Sequence, residues 1–191
     1  MTLALDSAAD LALFSVPLAF LWMSFVVELT PGPNMTYLAV IALGEGRRAG
    51  LAAVAGVALG LLIVGVLAAL GVATLVAESP ILFQALRWLG VLYLLWLAYD
   101  IWHGDDSEPS LADNSAEDLA VYFKRGLITN LLNPKAAVFY IAMLPTFIDP
   151  ARPVLGQTLS LSLAYVVVVT LVHAGIVMLA AAGDPFGTVL P

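Results

Sequence analysis

Two short segments of this chain place helix-breaking and polar residues inside otherwise apolar runs. The first is Thr30-Pro31-Gly32-Pro33-Asn34, with Glu28 just before it. The second runs from Asn130 to Lys135 and contains Asn133-Pro134-Lys135. Proline has no N–H to donate and glycine adopts many backbone conformations, so each segment must open the helix around it. At membrane depth, free amides and carbonyls are tolerated only inside protein or against a water-filled cavity. Each break therefore predicts an inward-facing polar point. Half-helix N-termini there present amides and partial positive charge to an anionic group such as a carboxylate. Paired interrupted helices at corresponding places in two halves of a chain point to a transporter site. The plainer alternative is a pair of proline kinks with no transport role.

Three ionisable residues near the breaks or deep in a run call for the same weighing: Glu28, Lys135 and His173. A charge at the bilayer centre costs about 2.5–3.5 kcal/mol on insertion scales. Glu28 and Lys135 would each be cheaper beside the other, so they are expected to approach across the two breaks. The alternative puts one or both near an interface, with the charged head reaching water. Imidazole titrates near neutral pH, which suits His173 to a proton relay. A neutral, hydrogen-bonded packing histidine is the other reading. Beyond these the chemistry is sparse. The chain has no cysteine, which excludes thiol chemistry and disulfides. His103, His173 and the scattered acids lack metal-ligand spacing. Neither a Gly-x-Ser-x-Gly nor a His-x-x-x-His occurs, so no enzyme and no cofactor are expected.

The elements that position these groups follow from composition. Hydrophobic residues make up 62% of 191 residues and charged ones 11%. Mean hydropathy is +1.00. Soluble domains have about 25% charged residues, so lipid must solvate part of this surface. Apolar runs span about 11–43 (broken at 30–34), 51–77, 81–102, 126–148 (broken at 130–135) and 159–182. The expectation is an all-α polytopic transmembrane bundle in a single membrane domain. Residues 103–121 form its one long connection, rich in acids and expected as a solvated loop. The net charge of −7 comes mostly from that segment, and seven basic residues make a nucleic-acid partner unexpected. The N-terminal segment carries Asp6 and Asp10 and no base, so it reads as a retained span rather than a signal peptide.

Packing and orientation can also be anticipated. Ala52, Gly56 and Gly60 recur every four residues and form a smooth stripe for close helix contact. Arg47 and Arg48 occupy the first connection, and Lys124 and Arg125 close the long one, with Arg87 and Arg152 on the other side. The positive-inside rule then places the N-terminus outside and these two connections in the cytoplasm. A re-entrant first segment would invert that order.

At the two breaks the sequence resembles the LysE/RhtB family of bacterial amino-acid exporters. The resemblance rests on Thr30-Pro31-Gly32-Pro33-Asn34, the stretch from Gly46 to Gly60, and Leu89-Gly90-Val91-Leu92-Tyr93-Leu94-Leu95-Trp96-Leu97. It continues through Gly126-Leu127-Ile128-Thr129-Asn130-Leu131-Leu132-Asn133-Pro134-Lys135 and Phe147-Ile148-Asp149-Pro150. It implies a bacterial inner-membrane exporter of amino acids or related small metabolites, by exchange with protons. Pro31, Gly32, Pro33, Asn34, Asn133, Pro134 and Lys135 would be the motif positions lining the pathway. Asn130, Glu28 and His173 join them on the strength of their own chemistry. The family's inverted three-plus-three repeat would lack its last helix here, since the chain reaches Gly183-Asp184-Pro185-Phe186 and stops at Pro191. A homodimer completing the bundle, or a shortened non-transporting protein or assembly partner, are the alternatives that this implies.

Overall fold

A computed structural model describes residues 16–71, 116–149 and 151–182, together with residue 79 and parts of 81–99. The expected spans and loops at 1–15, 72–78, 100–115 and 183–191 lie outside the described residues. All described elements are helical: α1 (Leu18–Leu29), α2 (Pro33–Gly44), α3 (Gly46–Ala69), α4 (Ala116–Leu131), α5 (Pro134–Val138) and α6 (Val154–Ala182). A π turn (Phe139–Met143) and a 3₁₀ turn (Leu144–Phe147) continue α5. The described residues between Ile81 and Tyr99 are helical as well.

The breaks fall where the chemistry demands them. Pro31 and Pro33 cannot donate to the carbonyls four residues earlier, and α1 ends at Leu29 with Thr30 extended at ψ 122°. Pro33 then opens α2 at its first position, where a missing N–H costs nothing. Helices α1 and α2 have 12 residues each, about 18 Å apiece at helical rise. Neither can cross the roughly 30 Å hydrocarbon layer alone. Among the described residues, α3 and α6 are long and apolar enough to span singly. Leu119–Leu131 and Pro134–Phe147, bent by 46° at the second break, are long and apolar enough only when taken together, as a broken span or a re-entrant loop. Pro145 explains the turns after α5. It has no N–H for the ladder, and the chain adjusts by closing a wider turn from the Leu144 N–H to the Phe139 carbonyl.

Three boundaries differ from the sequence expectation. The helix before the second break starts at Ala116 rather than near 126, so the expected loop at 103–121 gives way to helix six residues early. Glu117 and Asp118 keep this turn from registering in a reading by apolarity alone. Helix α3 starts earlier than expected, at Gly46, and closes at Ala69 rather than 77. Gly46 (φ 82°) and Gly71 (φ 88°) provide the left-handed conformations that bracket it.

Closest packing occurs between α3 and α4. A Cβ at Gly56 would overlap the Phe123 carbonyl oxygen, and one at Gly126 the Ala53 carbonyl oxygen. At Gly60 it would lie 2.8 Å from Asn130 Nδ2. Gly56 and Gly60 of the expected stripe are thus in contact, while Ala53 takes the place expected for Ala52. Gly56 meets Phe123 and Leu127 and Gly60 meets Leu127 and Asn130, so α3 and α4 run parallel through this contact. Helix α6 packs through one face, on which Thr158, Leu161, Ser162, Tyr165, Val169, His173 and Val177 are buried. Leu163, Val167, Leu171 and Leu179 on its other side are exposed, as a lipid-facing surface requires.

Two apolar clusters result. One gathers Phe20, Val57, Leu61, Phe139, Tyr140, Leu144, Leu161, Tyr165 and Val169. Its centre is Phe139 stacked on Tyr165, with ring centroids 3.6 Å apart. The other gathers Tyr37, Leu38, Ile41, Ala42, Ala49, Ala53, Val54 and Val177. Along α6, His173 falls between Val169 of the first and Val177 of the second. The buried Tyr140 hydroxyl donates to the Leu61 carbonyl at 3.0 Å. Tyr140→Phe is expected to cost about 1 kcal/mol, readable as a lowered midpoint of thermal unfolding in detergent.

Candidate functional site

The two breaks meet. Glu28 occupies the last turn of α1, on the buried stripe Phe20, Ser24, Glu28 that faces α6. Its Oε1 lies 2.9 Å from His173 Nε2 and 3.6 Å from Lys135 Nζ. Glu28 is 4% exposed and His173 fully buried. The Tyr165 hydroxyl is a further neighbour of this carboxylate. Lys135 Nζ also donates to the Thr30 carbonyl at 2.8 Å. That carbonyl is accessible because the helix stops there. Its usual donor, the N–H four residues on, belongs to a separate helix. A half-helix C-terminus, a carboxylate and a free carbonyl thus converge on one ammonium.

A second bridge joins the breaks. Asn34 Nδ2 donates to Asn130 Oδ1 at 2.8 Å, linking residues 96 apart in sequence. This one bond leaves Asn34 Oδ1 and Asn130 Nδ2 buried without partners. Ser24 Oγ, Tyr37 OH, Thr170 Oγ1 and His173 Nδ1 share that condition. Buried polar atoms are nearly always hydrogen-bonded. Their concentration on α1, α2, α4 and α6 around the breaks leaves unused donors and acceptors where a polar ligand can use them.

The remaining predicted residues are placed differently. Asn133 caps α5, its Oδ1 accepting the Lys135 N–H at 2.9 Å. The second half-helix therefore satisfies one of its own free amides, and α2 is the half-helix whose first amides stay open. Gly32 lies under the lysine stem: a Cβ there would sit 3.2 Å from Lys135 Cδ. Pro33 is half-buried, whereas Pro31 is exposed and shapes the break only through its backbone. Pro134 and Lys135, with Val27, Val138, Phe139 and Met143, line a cavity of about 280 Å³. No cluster of metal-ligating side chains occurs among the described residues. Ser24, Tyr165 and Thr170 were missed by sequence reasoning. Each lies one or two helical turns before Glu28 or His173, so helical spacing from those ionisable groups was the available signal.

Residues 25–183, which contain both breaks, Glu28 and His173, match the LysE type translocator family. The chain belongs to this family. Relatives include a homoserine/homoserine lactone efflux protein of Salmonella typhi, 35% identical over 85% of this chain and 79% of its own length. A leucine efflux protein of an Enterobacter species is 38% identical over 66% of this chain and 60% of its own. An uncharacterized membrane protein of Vibrio cholerae is 35% identical over 86% of this chain and 80% of its own. No solved structure matches the chain. This LysE-type translocator is therefore an all-helical membrane exporter whose two helix breaks meet at a buried carboxylate.

Proposed function

We propose that this LysE-family exporter moves a small amino acid out of the bacterial cell through the site at its two breaks. The observation that carries the reading is the Glu28–Lys135–Thr30 arrangement, a charge-balanced ammonium site built from both broken helices. The α-ammonium of a substrate binds Glu28 and the Thr30 carbonyl, and its carboxylate turns to the open amides at the start of α2. The unused amide atoms of Asn34 and Asn130 complete its hydrogen bonds. Relatives named for homoserine and leucine efflux support a small amino acid.

Exchange with protons is part of the same proposal. A proton passing between His173 Nε2 and Glu28 Oε1, 2.9 Å apart, changes how strongly Glu28 holds a cation. Lys135 and Tyr165 are the other charged or titratable groups facing that carboxylate. In the inner membrane, Arg47 and Arg48 with Lys124 and Arg125 mark the cytoplasmic side, leaving the N-terminus outside. The parallel course of α3 and α4 supports putting both basic pairs on one side.

The test is efflux from proteoliposomes loaded with labelled L-leucine or L-homoserine, with and without an imposed proton gradient. The expected result is efflux that accelerates when protons can enter in exchange. Failure to move any common amino acid overturns the export reading. Transport indifferent to the gradient removes proton coupling alone.

A further inference from the structure

We propose that Lys135 stands in for the substrate's ammonium group, so that the resting site is closed by a cation the chain itself supplies. This rests on the export reading and deepens it. Lys135 Nζ is held by the Thr30 carbonyl at 2.8 Å and by Glu28 Oε1 at 3.6 Å. These are the partners an incoming ammonium would seek. The lysine belongs to the second break and reaches the first across Gly32, where a Cβ would crowd its stem at 3.2 Å. His173 Nε2 bonds the same oxygen at 2.9 Å, and Lys135 supplies the permanent positive charge beside it. An uncompensated carboxylate buried beside a bilayer is costly, so Glu28 exchanges one cation for another and is never left bare.

Charge balance then selects the substrate. An ammonium can replace Nζ only if Lys135 finds another partner. Its stem lines the cavity of about 280 Å³ whose other walls are Val27, Pro134, Val138, Phe139 and Met143. None of those side chains is an anion. A zwitterion brings the missing anion: its ammonium settles on Glu28 and Thr30, while its carboxylate, turned to the amides at the start of α2, also pairs with the displaced Lys135, whose stem runs beside Gly32. A monoamine offers nothing to the lysine, whose side chain is one-fifth exposed, and leaves its charge beside walls that carry no anion. A simple carboxylic acid offers nothing to Glu28. The same walls favour an aliphatic side chain on the zwitterion. Lys135 is thus a specificity-determining residue that makes both charges of an amino acid obligatory.

The experiment measures binding to the full chain in lipid nanodiscs. The probes are L-leucine, 3-methylbutylamine (leucine without its carboxylate) and 4-methylpentanoate (leucine without its ammonium). Wild type is expected to bind L-leucine and to reject each analogue by ~100-fold or more, the scale set by leaving a charge unpaired. Lys135→Met opens the carbonyl–carboxylate site. It should bind 3-methylbutylamine at least ~10-fold tighter than wild type and lose its preference for leucine. Lys135→Arg should restore the preference. A Lys135→Met variant that still favours leucine over the amine by ~100-fold overturns the proposal. So does a wild type that accepts the amine as readily as leucine, a comparison that decides the matter even if the variant does not fold. A wild type that binds and exports no common amino acid overturns the export reading and this proposal with it. Export of leucine without discrimination against the amine overturns this proposal alone.

Discussion

Glu28→Gln is expected to lower amino-acid efflux by ~100-fold in proteoliposomes, because it removes a buried carboxylate paired with a lysine that is one-fifth exposed, a loss of roughly 3 kcal/mol at the low end for buried pairs. Glutamine keeps the shape and still bonds His173, but it carries no charge for Lys135 or for a substrate ammonium. The surviving 2.8 Å bond to the Thr30 carbonyl cannot neutralise a cation. The variant should also unfold at a lower temperature, since Lys135 is left uncompensated. A paired substitution separates the two effects. Glu28→Gln with Lys135→Met removes both charges and should recover thermal stability while efflux stays low. Efflux near the wild-type rate in Glu28→Gln would show that the carboxylate is no part of the pathway.

The second large effect concerns the fold. Gly56→Ala is expected to destabilise the bundle by about 3 kcal/mol or more, at the upper end of overpacking costs. The added Cβ would overlap the Phe123 carbonyl oxygen and approach Leu127 N to 2.8 Å. Backbone cannot move aside as a flexible side chain can, so α3 and α4 must separate. That separation would pull Asn130 from Gly60 and loosen its bond to Asn34, so the site would suffer with the packing. Gly175→Ala is the matched control. Gly175 lies on α6 with nothing within 4 Å of an added Cβ, and alanine there should stabilise the helix by roughly 0.5–1 kcal/mol. Equal midpoints of thermal unfolding for the two variants would contradict the close contact of α3 and α4.

The sequence by itself determined that this protein is a helical membrane bundle, and it located both breaks. Apolar excess and the proline positions at 31, 33 and 134 are local properties. Missing N–H groups act within one turn, whatever surrounds them. Family membership was likewise readable from motifs in linear order. The meeting of Glu28 and Lys135 could be anticipated only as a cost argument, because two buried charges favour each other without dictating where. Which groups share the site was decided by tertiary packing. His173 reaches Glu28 across 145 residues because α6 presents one buried face to α1. Asn34 reaches Asn130 because Gly56, Gly60 and Gly126 let α3 and α4 close until the two breaks lie at one depth. Tyr165 and Ser24 enter by the same helix contacts, and Asn133 becomes a cap rather than an open ligand. Such choices depend on helix rotation and depth, which apolar runs leave free and which side-chain volumes, above all absent ones, settle.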